Sequence, residues 1–213
     1  MFINQGRPSG WIEVICGPMF SGKTEELIRR LRLAQIARQR VEIFKPAIDN
    51  RYSGEHIASH NEQKITCTPV PTASQILEKI DDHTRVVGID EAQFFDETIL
   101  PLCQKLANRG MRVIVAGLDQ DYRGQPFGPM PALLAVAESI LKLKAVCMVC
   151  GGLASRSQRL TEERSQVVVG TADRYEARCR ACFDPELGST KTAPLFTTAS
   201  PMNKEEASIR KEC

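Results

Sequence analysis

The sequence predicts an α/β protein: a mainly parallel sheet flanked by helices, followed by a small second unit. Three observations carry this. Short apolar runs alternate with amphipathic segments through residues 1–143, and a glycine loop, "GPMFSGKT", stands between the first run and the first helical segment. Beyond them, two Cys-x2-Cys pairs sit in a stretch of different texture, a spacing that fits a zinc ribbon.

Each element has a local reason. "WIEVICG" is a compact apolar strand, and "KTEELIRRLRLAQIARQR" repeats Leu27, Leu31, Ala34 and Ile36 at roughly helical spacing. "VEIFKP" reads as a strand, "TASQILEKI" as a helix, and "RVVGIDEAQFF" as a buried strand running into a loop. "TILPLCQKLANRG" is a helix closed by Gly110, "RVIVAGLDQD" a further buried strand, and "MPALLAVAESILKL" a last helix. The expected organisation is a nucleotide-binding α/β domain over 1–143, a zinc-ribbon unit over 144–187, and a disordered tail rich in Ser, Thr, Pro and Lys over 188–213.

Composition narrows the partners. A formal charge of +2 gives little support to a nucleic-acid binder, and 42% hydrophobic residues suffice for a real core. "MFINQGRPSGW" lacks the apolar run of a secretion signal, and no later stretch has the length of a membrane span, so the expectation is a cytoplasmic protein without a membrane partner. In a reducing compartment the eight cysteines are metal ligands or packed thiols. Cys147, Cys150, Cys179 and Cys182 have the spacing for a closed four-sulfur Zn²⁺ site, with Arg174, Arg178 and Arg180 near enough in sequence to offset its negative charge. Such a site has no open position for a catalytic water, so its metal is expected to fold the ribbon without touching the chemistry. Cys16, Cys67 and Cys103 read as packed thiols and Cys213 as an exposed one.

Gly17-x4-Gly22-Lys23-Thr24 matches the Walker A pattern in its required setting, strand before and helix after. Backbone N–H groups and the positive end of the helix suit a triphosphate, Lys23 suits its β- and γ-phosphates, and the Thr24 hydroxyl suits Mg²⁺. Asp90, at the carboxyl end of a buried strand, is the second candidate for Mg²⁺. Glu91 next to it has the chemistry either to orient a water, as in an ATPase, or to accept a proton from a substrate hydroxyl, as in a kinase.

The ordered set "GPMFSGKT", "IDEAQFF", "LDQDYRGQPFG", "CMVC" and "CRAC" resembles the zinc-containing thymidine kinases from Ile12 to Phe183. That resemblance implies a RecA-like core whose ribbon closes over the nucleoside as a lasso, with ATP as the phosphoryl donor, Mg²⁺ as its cofactor and Zn²⁺ as a structural ion. It places Gly17, Pro18, Met19, Phe20, Ser21, Gly22, Lys23 and Thr24 at the ATP phosphates, together with Asp49, Asn50 and Arg51 and with Asp90, Glu91, Ala92 and Gln93. Glu91 becomes the base that takes the proton from the 5′-hydroxyl of thymidine.

On the nucleoside side the resemblance implies that main-chain groups of Gln166, Val167, Val168, Val169 and Gly170 meet the thymine edge. Tyr122 and Tyr175 match substrate-binding positions, with Phe94, Leu118 and Phe127 as further walls. Met19 matches a position lining the thymine pocket, Phe20 is expected to pack beneath the loop, and Pro18 to stiffen it. Tyr122 stands where a Phe is common, and Ser157 where a Thr is common. Both bear on substrate breadth, including acceptance of deoxyuridine. The family is commonly a homotetramer inhibited by dTTP. The alternative reading is a RecA-like ATPase that binds nucleic acid through its ribbon.

Overall fold

The computed structural model describes residues 9–48, 56–58, 64–161 and 174–187. Asp49, Asn50 and Arg51, and the stretch from Gln166 to Gly170, lie outside the described residues, as do the tail over 188–213 and Cys213.

Six strands make the main sheet: β1 (Trp11–Cys16), β2 (Val41–Pro46), β5 (Thr68–Val70), β6 (Val86–Ile89), β7 (Arg112–Gly117) and β8 (Ser139–Lys142). Their order is β5-β2-β6-β7-β1-β8, and every neighbouring pair is parallel. A short antiparallel pair, β3 (His56–Ala58) with β4 (Lys64–Thr66), stands apart from it. Parallel strands need long crossovers; helices supply those before β2, β6, β7 and β8 and cover both faces, whereas the crossover from β2 to β5 carries the β3–β4 pair.

The faces can be read residue by residue, because side chains alternate along each strand. Ile12, Val14 and Cys16 of β1 point to one layer with Val113 and Val115 of β7; α2 (Ser74–Lys79), α3 (Ile99–Asn108) and α4 (Met130–Val136) cover it with Ile76, Leu102, Leu106 and Leu133. Ile15, Ile114 and Ala116 point the other way, under Leu27, Ile28, Leu31 and Ala34 of α1 (Lys23–Ile36). No helix among the described residues is long and apolar enough to cross a membrane.

One expected element is different. The helix anticipated over "MPALLAVAESILKL" ends at Val136, and Ser139–Lys142 is an edge strand beside β1. A short apolar run cannot by itself separate strand from helix. Ala137 is already extended, and the Glu138 carboxylate accepts a hydrogen bond from the Ile12 N–H at 2.6 Å, which fastens the new strand to β1.

A charged cluster holds the amino end of the sheet. Glu13, only 6% exposed, accepts from Arg112 Nε at 2.6 Å, Arg30 Nη1 at 2.5 Å and Trp11 Nε1 at 2.7 Å. Burial alone would raise the Glu13 pKa, but hydrogen bonds from Arg112, Trp11 and Arg30 outweigh it and hold the group below 4.5. Next to it, Glu26 is held at about 2, first by its hydrogen bond from Arg29 and also by Arg30. Both folded-state pKa values are depressed, so the stability they contribute is complete above the unfolded carboxylate range and is lost as pH falls through the folded values. Glu13→Gln should cost about 3 kcal/mol in guanidinium unfolding at neutral pH, because two arginines lose a buried partner, and should flatten the loss of stability on acidification.

After Leu143 the chain builds two small antiparallel pairs, β9 (Ala145–Val146) with β10 (Leu153–Ala154), and β11 (Arg156–Arg159) with β12 (Tyr175–Arg178). Ala145, Cys147, Ala154 and Ala177 form their common core.

Candidate active site

Because all six strands of the main sheet are parallel, their carboxyl ends meet at one edge, where ligands of open α/β sheets bind. β1 delivers the phosphate loop there and β6 delivers Asp90. Gly17 has φ 142°, and a β-carbon on it would come within 2.5 Å of the Leu143 carbonyl oxygen, so this turn needs glycine. Gly22, at φ 82°, turns the chain into α1, whose Glu26 N–H closes back on the Gly22 carbonyl at 2.9 Å. Ser21 Oγ and Lys23 Nζ each donate to the Pro18 carbonyl at 2.8 Å, so both side chains lie back across the loop.

Thr24 and Asp90 meet as a P-loop cation site requires. Thr24 Oγ1 lies 3.1 Å from Asp90 Oδ2, and Asp90 Oδ1 accepts from the Glu91 N–H at 3.0 Å. A hydroxyl and a carboxylate side by side form an oxygen donor set that fits Mg²⁺, a hard cation. Glu91 itself is in the left-handed region, at φ 51°. Non-glycine residues rarely sit there, and such positions concentrate at functional sites. Gln93, 3% exposed, supplies the restraint: its Nε2 donates to Glu91 Oε2 at 2.5 Å while its Oε1 accepts from the Leu118 N–H at 3.0 Å. The Gln93 amide thus ties the acid to the end of β7, a link the residue's place in "DEAQ" did not announce.

Beyond Gly117 the chain makes a tight loop. Asp121 Oδ1 accepts from the N–H groups of Arg123 and Gln125 at 2.9 and 3.0 Å, and Phe127 N–H donates to the Asp119 carbonyl at 3.2 Å. This fixes Tyr122, and it puts Phe127 edge-on against Phe94 with ring centroids 5.8 Å apart. Tyr175 starts β12, and Leu118 lies half-buried at the base of the loop.

The four ribbon cysteines converge. Cys147 and Cys150 lie on the turn between β9 and β10, where Cys147 N–H donates to the Gly152 carbonyl at 2.8 Å; Cys179 and Cys182 follow β12. All four sulfurs lie within 4.8 Å of one another, with Cys150 and Cys179 Sγ 3.7 Å apart. Zn–S bonds of 2.3 Å in a tetrahedron put the sulfurs about 3.8 Å apart, so the set fits Zn²⁺. Of the three arginines near them in sequence, Arg178 donates to the Cys182 carbonyl at 3.1 Å and also pairs with Glu176. The remaining described cysteines are packed thiols: burial pushes Cys103 up to about 12, and burial followed by the Asp119 carboxylate pushes Cys16 up to about 11.

One expectation about the loop changes. Phe20 does not pack beneath it: the residue has φ 63° and its side chain joins the ribbon core of Ala145, Cys147, Ala154 and Ala177. Three alanines leave room for a ring that the sheet, already filled, has no space for. The ribbon is also closer to the chemistry than a remote metal site would be, since Met19 N–H donates to Ser157 Oγ of β11 at 2.9 Å. Ser157→Ala leaves that amide without this acceptor and should cost about 1 kcal/mol of stability, whereas Ser157→Thr should restore it; urea midpoints decide.

A P-loop with a hydroxyl–carboxylate oxygen pair and a restrained glutamate at the carboxyl edge of a parallel sheet is the framework of a P-loop enzyme that moves a phosphoryl group, and here the loop's Met19 and Phe20 touch a cysteine ribbon. The family model described as Thymidine kinase matches residues 10–183. Over 206 residues the chain is 62% identical to a protein named thymidine kinase from Rhodothermus sp. (strain ITI 518), covering 94% of this chain and 96% of that one. It is 55% identical to the thymidine kinase of Bdellovibrio bacteriovorus, with 84% and 87% of the two chains covered. For that of Bacteroides thetaiotaomicron the identity is 54%, over 85% and 90%. The chain belongs to the thymidine kinase family.

Proposed function

We propose that the chain transfers the γ-phosphoryl group of ATP to the 5′-hydroxyl of thymidine, giving dTMP, with Glu91 as the base and Mg²⁺ held by Thr24 and Asp90. The observation that carries this is the joined set Thr24, Asp90, Glu91 and Gln93 at the carboxyl edge of the sheet, in a member of this family. Mg²⁺ would neutralise charge between the β- and γ-phosphates. Loop N–H groups and Lys23 hold the phosphates, and Glu91, kept in place by Gln93, positions the nucleophilic oxygen and takes its proton. Asp49, Asn50 and Arg51 belong to the phosphate side on the family resemblance alone, and Ala92 carries the backbone between Glu91 and Gln93.

On the nucleoside side the reading uses Tyr122 and Tyr175 as walls, and the main chain of Gln166, Val167, Val168, Val169 and Gly170 for the base edge. Residues 1–143 then act as the donor-binding unit and 144–187 as the acceptor-binding unit, with Zn²⁺ on Cys147, Cys150, Cys179 and Cys182 holding the ribbon in shape. A cytoplasmic homotetramer inhibited by dTTP, with deoxyuridine as a further candidate acceptor, completes the proposal. ADP release in Mg·ATP tests it: thymidine should stimulate release and DNA or RNA should not. Stimulation by nucleic acid alone would return the ATPase reading.

A further inference from the structure

Arg159 was given no role by its sequence context, "SRSQRL", yet it is 2% exposed and among the largest fully buried side chains described. A buried guanidinium persists only where its charge and its donors are met. Arg159 Nε and Nη2 both donate to the Tyr175 hydroxyl, at 3.0 and 2.7 Å. Its Cζ lies 3.5 Å from the centroid of the Tyr122 ring and 5.3 Å from that of Tyr175. One planar group therefore stacks on a ring of the loop after β7 and forks onto a hydroxyl of the ribbon.

The register explains how it reaches both. Arg159 is the direct cross-strand partner of Tyr175 in the β11–β12 pair. Ser157, two residues earlier, lies on the same face of β11 and accepts from the Met19 N–H of the phosphate loop. Alternate residues of one strand thus touch the phosphate loop and Tyr122. Tyr122 is held from its other end as well, since Arg123 Nε donates to its hydroxyl at 2.9 Å.

We propose that Arg159 is a positioning residue for the nucleoside pocket, clamping Tyr122 of the α/β unit and Tyr175 of the ribbon into one wall. This rests on the reading above, in which those two tyrosines border the nucleoside. The face of Tyr122 under the Arg159 guanidinium is covered, and Arg123 Cζ also lies 5.2 Å from that ring's centroid, so the covered face is closed to the nucleoside. The fork and the stack need a flat, delocalised cation, so lysine cannot replace the arginine. Freed of the clamp, each tyrosine must be ordered when the nucleoside binds, a loss that falls on thymidine and spares ATP.

The test compares KM for thymidine and for ATP in the full-length protein, the Arg159→Lys variant, the Tyr175→Phe variant and the double variant, with zinc content measured alongside. Arg159→Lys should raise the thymidine KM by about ten-fold and leave the ATP KM within about two-fold. In the Tyr175→Phe background the same change should cost less than about three-fold, because the fork's acceptor has gone. Equal shifts for both substrates, or an undiminished effect in that background, would overturn the inference. Should Arg159→Lys lose zinc or fail to fold, Tyr122→Leu and Tyr175→Phe are combined with Arg159 intact: effects smaller than the product of the singles support the clamp, and a full product overturns it. A wild-type protein that makes no dTMP defeats the function reading, whereas an active one whose thymidine KM ignores Arg159→Lys defeats this inference alone.

Discussion

Glu91→Gln lowers kcat by about 10²- to 10⁴-fold, the range for removing a positioned general base, while the KM for ATP stays within about two-fold. The substitution isolates basicity. A glutamine at this position keeps an oxygen to accept the Gln93 Nε2 bond, which is 2.5 Å long in the native protein, so the side chain has no reason to leave its place. It also leaves the Thr24–Asp90 pair at 3.1 Å untouched, and with it the oxygens proposed to hold Mg²⁺. What goes is the ability to take the proton from the nucleophile. In a loose phosphoryl-transfer transition state that proton leaves late, so the lower end of the range would mean that Glu91 acts more by orienting the oxygen than by withdrawing its proton. Steady-state kinetics with varied ATP and saturating thymidine decide this, and an unchanged kcat would remove Glu91 from the mechanism.

The second large effect belongs to the cysteines. Cys179→Ser should lower the zinc content from one ion per chain to none and reduce kcat/KM for thymidine by at least about 10³-fold. A structural zinc supplies on the order of 10 kcal/mol to a small unit that has little other core. Among the described residues that core is Ala145, Cys147, Ala154 and Ala177, with Phe20, Cys179 and Cys182 packed against it, so three of the four buried residues are alanines and the fourth is one of the clustered cysteines. Losing the ribbon separates Arg159 and Tyr175 from Tyr122, the wall proposed for the nucleoside. It also removes two groups from the phosphate loop, the packing of Phe20 and the Ser157 acceptor for Met19 N–H. The ATP KM should therefore rise, but by far less than that for thymidine, since the sheet and α1 that carry the loop are untouched. Metal analysis by atomic absorption, paired with kinetics on both substrates, separates this from an inert surface change. Full activity without zinc would reject a structural site.

The parts legible in the sequence are those in which chemistry is written over a few neighbouring residues. Gly17 to Thr24 announces a phosphate loop because turn, donor and helix start are consecutive, and Asp90 with Glu91 is marked by the buried run before it. The cysteine pairs are legible for the same reason: each knuckle is four residues long, and two knuckles leave few other readings. What stayed hidden depends on contacts far apart in the chain. Ser139–Lys142 reads as easily in a helix as in a strand until β1 offers it an edge. The side chain of Phe20 could turn under the loop or out of it, and only the alanine-lined ribbon more than a hundred residues later decides. Arg159 gave no signal at all, because a buried arginine looks like any other in a polar run until Tyr122 and Tyr175 are seen around it.

The phosphoryl group at this edge of the sheet should pass to a nucleoside hydroxyl and not to water. Following the label from γ-³²P-ATP in the presence of Mg²⁺ and thymidine tests it most directly. Label should appear on the 5′-phosphate of thymidine at a rate that matches ADP release. Label recovered as inorganic phosphate, at a rate indifferent to thymidine, would contradict it.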